Sequence, residues 1–331
     1  NCSFDDIEIS KEYLKFINKI FIVACGTAMH AGLMGKSIIE KLCRIPVEVD
    51  IASEFRYRNP IIDEKTLCIF VSQSGETADT LAALRLSKSH GARTLAISNV
   101  IGSTITREAD YTIYTHAGPE IAVASTKAYT SQVCLIAMLG IYFAELLGSY
   151  SKDELEKLKA DILDLPSKIE AVLDNSKEIK TFASKVYTQK DMFFLGRGTD
   201  YNVALEGSLK LKEISYIHSE ADAAGELKHG PIALIENGVT VIGIITNKEL
   251  VEKTISNMQE VITRGAKTLI ITNQILPNNN FGYVINIPET NELISPILSV
   301  IPLQLLSYYI SKNKGLDVDK PRNLAKSVTV E

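Results

Sequence analysis

The chain has 331 residues, of which 46% are hydrophobic and 23% are charged, and its formal net charge is −5. This composition is ordinary for a globular protein and excludes a disordered chain or a fibrous repeat. The length predicts about two domains. Without a clustered basic excess, a dedicated nucleic-acid surface is not expected.

Cysteine usage and the length of apolar runs bear on location. Five cysteines are scattered without a C-x-x-C pair, at positions Cys2, Cys25, Cys43, Cys68 and Cys134. Such an odd and irregular set is typical of reduced thiols, so we predict a cytoplasmic protein. The longest apolar stretch, Val133 to Ala144, is shorter than the roughly 20 residues that a membrane span needs. No signal peptide is visible, and we expect no membrane partner.

The first 150 residues alternate apolar runs with helical patterns. The predicted strands are Ile20–Ala24, Val47–Ile51, Leu67–Val71, Thr94–Ile97 and Tyr111–Tyr114. Helices are predicted over 26–42 and 77–89, and a long, largely buried helix over 125–147. Near-continuous apolar strands separated by helices are typical of a parallel sheet covered on both faces. We therefore predict a first α/β domain over residues 1–150.

Residues 151–188 differ from the preceding part. They are rich in Lys, Glu and Asp, carry apolar residues at helical spacing, and contain no strand candidate. We predict a linker of one or two helices between two domains.

The pattern of the first domain then returns. The corresponding segments are Ile20–Ala24 with Met192–Gly196, Gly26 with Gly198, Gly35 with Gly207, and Gly91–Asn99 with Gly265–Asn273. In both glycine pairs the second glycine follows the first by 172 residues (198 − 26 and 207 − 35), and the two copies of the last segment are 174 residues apart (265 − 91). Matches in the same order at nearly one offset predict a duplicated α/β unit, with the second copy over residues 189–316.

The segment Ser72–Thr77 places hydroxyl groups and a glycine between the third predicted strand and a helix. Free N–H groups at a helix N-terminus, together with hydroxyls, are suited to bind phosphate. A plain N-cap with a turn glycine is the alternative. Ser125–Lys127, at the start of the long predicted helix, also allows either phosphate binding or a plain N-cap. The matching strand end of the second copy holds Ile244–Glu249 instead, so we predict that one copy alone binds a ligand head group there.

Three charged residues, Glu206, Lys210 and Glu213, lie at helical spacing in the second copy. A solvated helix face with ion pairs is the ordinary interpretation. The alternative is a group near a ligand, because ligands of doubly wound sheets bind beyond the carboxyl ends of the strands. The tail 317–331 also allows two interpretations: a frayed end, or a strap that closes a site and supplies Lys326.

No cofactor or metal site is predicted. Gly196-Arg-Gly198 follows a strand, but Tyr201 stands where a dinucleotide fingerprint has its third glycine. The five histidines, at positions 30, 90, 116, 218 and 229, show no spacing typical of a zinc site.

Several motifs together resemble one family. They are Ala24–Thr27, Ser72–Thr80, Val123–Lys127, Leu195–Gly198, Glu206–His218, Gly225–Pro231 and Asp317–Glu331. They resemble the C-terminal sugar-isomerase half of glutamine–fructose-6-phosphate aminotransferase (isomerizing), over nearly the whole chain. The resemblance implies two tandem flavodoxin-like sugar-isomerase (SIS) domains, each a five-stranded parallel sheet flanked by helices. It also implies conversion of fructose 6-phosphate and ammonia into glucosamine 6-phosphate, with residual exchange of fructose 6-phosphate and glucose 6-phosphate.

The resemblance further implies roles for single residues. The implied substrate contacts are Thr27, Ser72, Gln73, Ser74 and Thr77 for the phosphate, and Val123, Ser125 and Ala325 for the rest of the substrate. Glu213 would move a proton between C1 and C2, assisted by Lys210. His229, supplied by the partner subunit of a homodimer, would open the sugar ring, and Lys326 would form a Schiff base with the ketose carbonyl. Ala28 departs from the Ser of many members, which removes one phosphate hydroxyl.

The family's ammonia comes from an N-terminal glutaminase domain, which this chain lacks. Cys2 does not match that domain's nucleophile, and the start at Asn1 without Met indicates a cut in a larger protein. A sugar-phosphate sensor of the same fold is an alternative, but it would not need Glu213, His229 and Lys326 together. A sugar-phosphate deaminase or deglycase is another, and the close match of the tail favours the aminotransferase over it.

Overall fold

The computed structural model describes residue 4, residues 7–277 and residues 281–330. Cys2 lies outside the described residues. The chain divides into two compact units. Unit 1 comprises Asn1–Ile121, Ser125–Ile162 and Ala325–Glu331, and unit 2 comprises Ala122–Ala124 and Leu163–Leu324. The domain boundaries expected from the sequence, at residues 150, 188 and 316, stay predictions.

Unit 1 is built on the strands that the apolar runs predicted. Its elements are α1 (Lys11–Phe16), β1 (Lys19–Ala24), α2 (Gly26–Cys43), β2 (Val47–Ile51), α3 (Ala52–Phe55), β3 (Thr66–Ser72), α4 (Ala78–Ser89), β4 (Arg93–Ser98), α5 (Thr104–Glu108), β5 (Tyr111–Tyr114) and α6 (Lys127–Leu147). The strands form one parallel sheet in the order β2-β1-β3-β4-β5. Strand β3 is buried at every position, as expected for a central strand covered on both faces.

Alternate residues of β1 face the two helical layers of unit 1. Phe21 belongs to a buried cluster that includes Phe70 of β3 and residues of α3 and α4. Ile22 points to the opposite face, toward α2 and α6. A Cβ atom on Gly35 of α2 would lie 2.9 Å from Ile22 Cδ1 and 2.8 Å from Ile136 Cγ2 of α6. The glycine therefore permits close packing of α2 against the sheet and α6. Because β1 ends at Ala24 and α2 begins at Gly26, that helix starts at the carboxyl edge of the sheet.

Unit 2 repeats this architecture. After α7 (Lys152–Asp174) and α8 (Lys177–Val186) its elements are β6 (Asp191–Gly196), α9 (Thr199–Ser215), β7 (His218–Ala223), β8 (Thr240–Ile245), α10 (Val251–Ile262), β9 (Lys267–Thr272), β10 (Tyr283–Asn286) and α11 (Ser295–Asn313), with 3-10 helices over Ala224–His229, Pro231–Leu234 and Lys248–Leu250. The sheet order β10-β9-β8-β6-β7 is that of unit 1 read from the other edge. Two sheets with the flavodoxin-like order confirm the predicted duplication and fold class.

The segment predicted as a helical linker contains α7 and α8. Among helices of the described ranges, α6 alone is long and apolar enough to cross a membrane, and 56% of its most apolar window is buried inside the protein. Helix α6 packs against α2 in unit 1. Core helices of layered α/β proteins share this length and composition, so the feature is weak support for a membrane span.

Candidate active site

In unit 1 the polar loop between β3 and α4 is held by its own hydroxyl groups. Ser72 Oγ accepts a hydrogen bond from the Gly75 N–H at 3.0 Å and lies 3.2 Å from Thr77 Oγ1. Ser74 Oγ accepts from the Glu76 N–H at 3.2 Å. Thr77 occupies the N-cap position of α4 but makes no side-chain cap bond, so it is not a simple capping residue. Three hydroxyls are thus gathered beside a helix N-terminus, where an anion is favoured.

Gly75 and Glu76 fix the conformation of this loop. Gly75 has φ +68°, and a Cβ atom there would lie 2.1 Å from Ser103 Oγ, so any side chain would strain the backbone and displace its neighbour. The Glu76 carboxylate accepts from the Thr104 N–H at 2.7 Å. That hydrogen bond holds the pKa of Glu76 below its usual range. The loop is therefore anchored to the start of α5.

The end of the chain folds back onto the same loop. Ser327 Oγ lies 3.1 Å from Ser74 Oγ. The Val328 carbonyl accepts from the Ala78 N–H, in the first turn of α4, at 3.2 Å. The interpretation of this tail as a frayed end is therefore wrong for residues 327 and 328. Lys326 immediately precedes these two residues in the chain.

Lys326 and Ser125 also meet within unit 1. Lys326 Nζ donates to Ser125 Oγ at 3.4 Å. The N-cap residue of α6, Thr126, makes no side-chain cap bond, and the Glu120 carboxylate accepts from the Ala128 N–H instead, at 3.0 Å. The simple N-cap interpretation of Ser125–Lys127 is therefore wrong. The Ser125 hydroxyl contacts the amine for which a Schiff base is predicted.

The remaining predicted substrate contacts are more dispersed. Thr27 lies half-buried in the first turn of α2, and Gln73 is half-buried within the loop. Ala325 is exposed. Val123 belongs to unit 2, where its N–H donates to the Asp319 carbonyl at 3.0 Å. Their roles as ligand contacts stay predictions.

In unit 2, helix α9 holds a buried cation between two carboxylates. Lys210 Nζ lies 2.5 Å from Glu213 Oε2 and 3.4 Å from Glu206 Oε1. Glu206 and Lys210 are 0% and 1% exposed, so their interpretation as a solvated helix face is wrong. The Glu213 side chain is 21% exposed. It is therefore the member of the cluster that a ligand can reach.

The charges in this cluster bear on whether Glu213 can transfer a proton. Burial lowers the pKa of Lys210, but the carboxylates of Glu206 and Glu213 raise it by more, so Lys210 stays a cation. Removing one partner of a buried ion pair costs about 3–5 kcal/mol, and the contacts therefore hold the three side chains in place. One negative charge is in excess, and Glu213 is the open end. A carboxylate fixed on one side and open on the other is suited to take and return a proton.

His229 ends the 3-10 helix Ala224–His229 on the surface of unit 2, and its side chain is exposed. The preceding Lys228 forms an ion pair with Glu260 of α10 at 3.0 Å. Whether His229 serves another subunit stays a prediction. Within the part of the chain that the structure describes, no group of three or more His, Cys, Asp or Glu side chains is placed to hold a metal ion.

Two residues of these arrangements were not predicted as site residues. Ser327 has no local pattern around it that indicates a contact with Ser74. Glu206 offered one signal, its spacing of four residues from Lys210, but spacing alone does not show burial.

Comparison with known proteins groups the two units in one family. The SIS domain family matches residues 13–142 and 185–311. The glutamine–fructose-6-phosphate aminotransferase (isomerizing) of Clostridium tetani is 64% identical over 329 residues, which are 99% of this chain and 54% of that protein. The chain thus spans about half the length of the curated relatives it matches.

Solved structures show the same relationship. The C-terminal domain of glucosamine-fructose-6-phosphate aminotransferase from Francisella tularensis matches with a TM-score of 0.89 at 40% identity, over 94% of this chain and 89% of that one. Glucosamine-6-phosphate deaminase from Thermotoga maritima matches with a TM-score of 0.77 at 23% identity, over 96% and 95%, and shares the fold alone. The chain belongs to the SIS-domain family and, within it, to the C-terminal domains of glutamine–fructose-6-phosphate aminotransferases.

Proposed function

We propose that this chain is the sugar-converting half of an enzyme that makes glucosamine 6-phosphate from fructose 6-phosphate and ammonia. Unit 1 binds the phosphate group through the Ser72–Thr77 loop, and unit 2 supplies the proton-transfer base, Glu213. The Clostridium tetani relative is 64% identical over 99% of this chain, and its name supports the proposed substrate and reaction.

The observation that carries the proposal is Lys210, buried between Glu206 and Glu213. Burying charged groups has an unfavourable desolvation free energy, and a module that only senses a sugar phosphate does not need a fixed, partly exposed carboxylate. The cluster therefore favours an enzyme over a sensor. A deaminase or deglycase is supported by fold similarity alone, because the deaminase structure is 23% identical.

Each chemical step uses a side chain of this protein. His229 opens the ring by moving a proton from the C2 hydroxyl to the ring oxygen. The Lys326 amine adds to the C2 carbonyl and water leaves, which forms an imine from which ammonia displaces the lysine. Glu213 then moves a proton from C1 to C2, and the proton of the C1 hydroxyl passes to the nitrogen, which leaves an amino group on C2 and an aldehyde at C1. Lys210 holds Glu213 in position.

The chain alone is expected to convert fructose 6-phosphate slowly into glucose 6-phosphate, because the base and the ring-opening group are both present. Coupling to a glucose-6-phosphate dehydrogenase measures the product. Ser74→Ala should raise KM roughly tenfold, because one hydrogen bond to a charged phosphate is lost. The matched control, Ser184→Ala on an exposed face of α8, should leave KM unchanged. No product from pure, folded protein would contradict the proposal.

We further propose a homodimer in which each His229 serves the partner's site. Its exposed position at the end of a turn supports this assignment. Glu213→Gln and His229→Ala chains, each inactive alone, are expected to regain about one quarter of wild-type activity when coexpressed in equal amounts. Half of the dimers are then mixed, and one of the two sites in each has both groups. If His229 acts within its own chain, coexpression restores nothing.

We propose a cytoplasmic location. The cysteines Cys25, Cys43, Cys68 and Cys134 are free, and burial raises the pKa of the Cys43 and Cys68 thiols to about 12. Thiols of this kind are unreactive, in keeping with a reducing compartment.

The ammonia comes from a glutaminase domain of the same enzyme, which these 331 residues do not include.

A further inference from the structure

A buried carboxyl group occupies the loop after β8 in unit 2. Asp200, in the first turn of α9, is 2% exposed. Its Oδ2 accepts from the N–H groups of Thr246 at 2.8 Å and Asn247 at 3.2 Å, and its Oδ1 accepts from Thr246 Oγ1 at 2.5 Å. Two backbone N–H groups and one hydroxyl thus converge on one carboxyl group.

This loop is the counterpart of the Ser72–Thr77 loop of unit 1. Strand β8 takes the place in its sheet that β3 takes in the other, next to the first strand of its own copy. At the repeat offset of 172 residues, Asp200 corresponds to Ala28 (200 − 172). Ala28 has no side chain long enough to reach the loop after β3. Besides their different loop sequences, the two copies therefore differ at this position: the second fills its strand-end loop with a carboxyl group, and the first does not.

We propose that Asp200 occupies the anion-binding loop of the second copy from within, so that only the first copy is open to a phosphate group. A carboxyl group presents two acceptor oxygens to N–H and O–H donors, as a phosphate does. It also satisfies donors that would otherwise be buried without partners. Asp200 is thus a specificity-determining residue, because it sets the number of phosphate groups that the chain binds. The comparison with unit 1 rests on the proposed function of the Ser72–Thr77 loop.

The test removes the carboxyl group and supplies it again in solution. Asp200→Ala should lower Tm by roughly 3–8 °C, because two buried donors of Thr246 and the partly buried N–H of Asn247 lose their acceptor. Sodium formate at about 50 mM should restore at least half of that loss, with sodium chloride at equal ionic strength as the reference. Equilibrium dialysis should show one more equivalent of inorganic phosphate per chain for Asp200→Ala than for wild type.

Asp200→Asn is the matched control, because its amide fills the same space. It should lose stability yet respond to formate no more than wild type does. Asp200→Ser still leaves part of the carboxyl group's space empty, and its hydroxyl can accept a hydrogen bond, so it replaces the Ala variant if that one is too unstable to purify. An unchanged Tm, or a formate response equal to that of wild type, would overturn the proposal. Wild type that binds no phosphate would instead contradict the function of unit 1, while the difference between variant and wild type still tests Asp200.

Discussion

Replacing Glu213 with Gln is expected to lower kcat for the isomerisation of fructose 6-phosphate by roughly 100- to 10,000-fold, because an amide cannot take a proton from carbon. The amide fills the same volume, and Lys210 keeps its ion pair with Glu206 at 3.4 Å, so the variant should fold. KM should change little, since the loop proposed to bind the phosphate group belongs to unit 1. Formation of glucose 6-phosphate in the coupled assay measures both constants.

Two further variants make the result specific. Glu252→Gln removes an exposed carboxylate from α10 of the same unit and should keep the wild-type rate. Glu213→Asp keeps the carboxylate on a shorter arm and should retain more activity than the Gln variant. A folded Glu213→Gln protein that keeps more than about one tenth of the wild-type kcat would show that another group is the base.

Lys326→Arg is expected to abolish the covalent adduct that borohydride traps with fructose 6-phosphate. A lysine amine condenses with the C2 carbonyl and releases water, and hydride reduces the imine to a stable secondary amine. An arginine guanidinium stays protonated and cannot condense with the C2 carbonyl to form an imine, although it keeps the positive charge near Ser125. Mass spectrometry of the intact chain measures the adduct, and peptide mapping of wild type should place it on Lys326.

The matched control for this experiment is Lys320→Arg, an exposed lysine of the same tail, which should form the adduct as wild type does. An adduct on Lys326→Arg protein, or one mapped to a different lysine, would place the Schiff base elsewhere. Wild-type protein that forms none would remove covalent catalysis from the proposal.

The sheets were predictable because apolar runs mark central strands. Strand β5 begins and ends where the apolar run predicted it. Strand β3 extends one residue further at each end, to Thr66 and Ser72, because polar residues also pair: Thr66 with Lys19 of β1, and Ser72 with Ser98 of β4. Hydrophobicity indicates which residues are buried, and it does not record where backbone pairing stops. The repeat in the sequence predicted the second sheet.

The site was predictable only in part. The hydroxyls of Ser72 and Ser74 follow a recognisable strand end, so their grouping could be foreseen. The burial of Lys210 could not, because α9 is covered by α11, whose Leu303 packs against Gly207. That contact joins segments nearly one hundred residues apart. The bond between Ser327 and Ser74 spans 253 residues, and no local pattern in the tail indicates it.

The most direct test of the account follows hydrogen exchange at carbon. Purified chain is incubated with fructose 6-phosphate in D2O, and the sugar phosphates are analysed by NMR and mass spectrometry. If Glu213 moves a proton between C1 and C2, wild-type protein introduces carbon-bound deuterium at these positions, and Glu213→Gln protein does not. Deuterium incorporation at the wild-type rate by the folded variant would contradict the account, as would wild-type protein that neither incorporates deuterium nor forms glucose 6-phosphate.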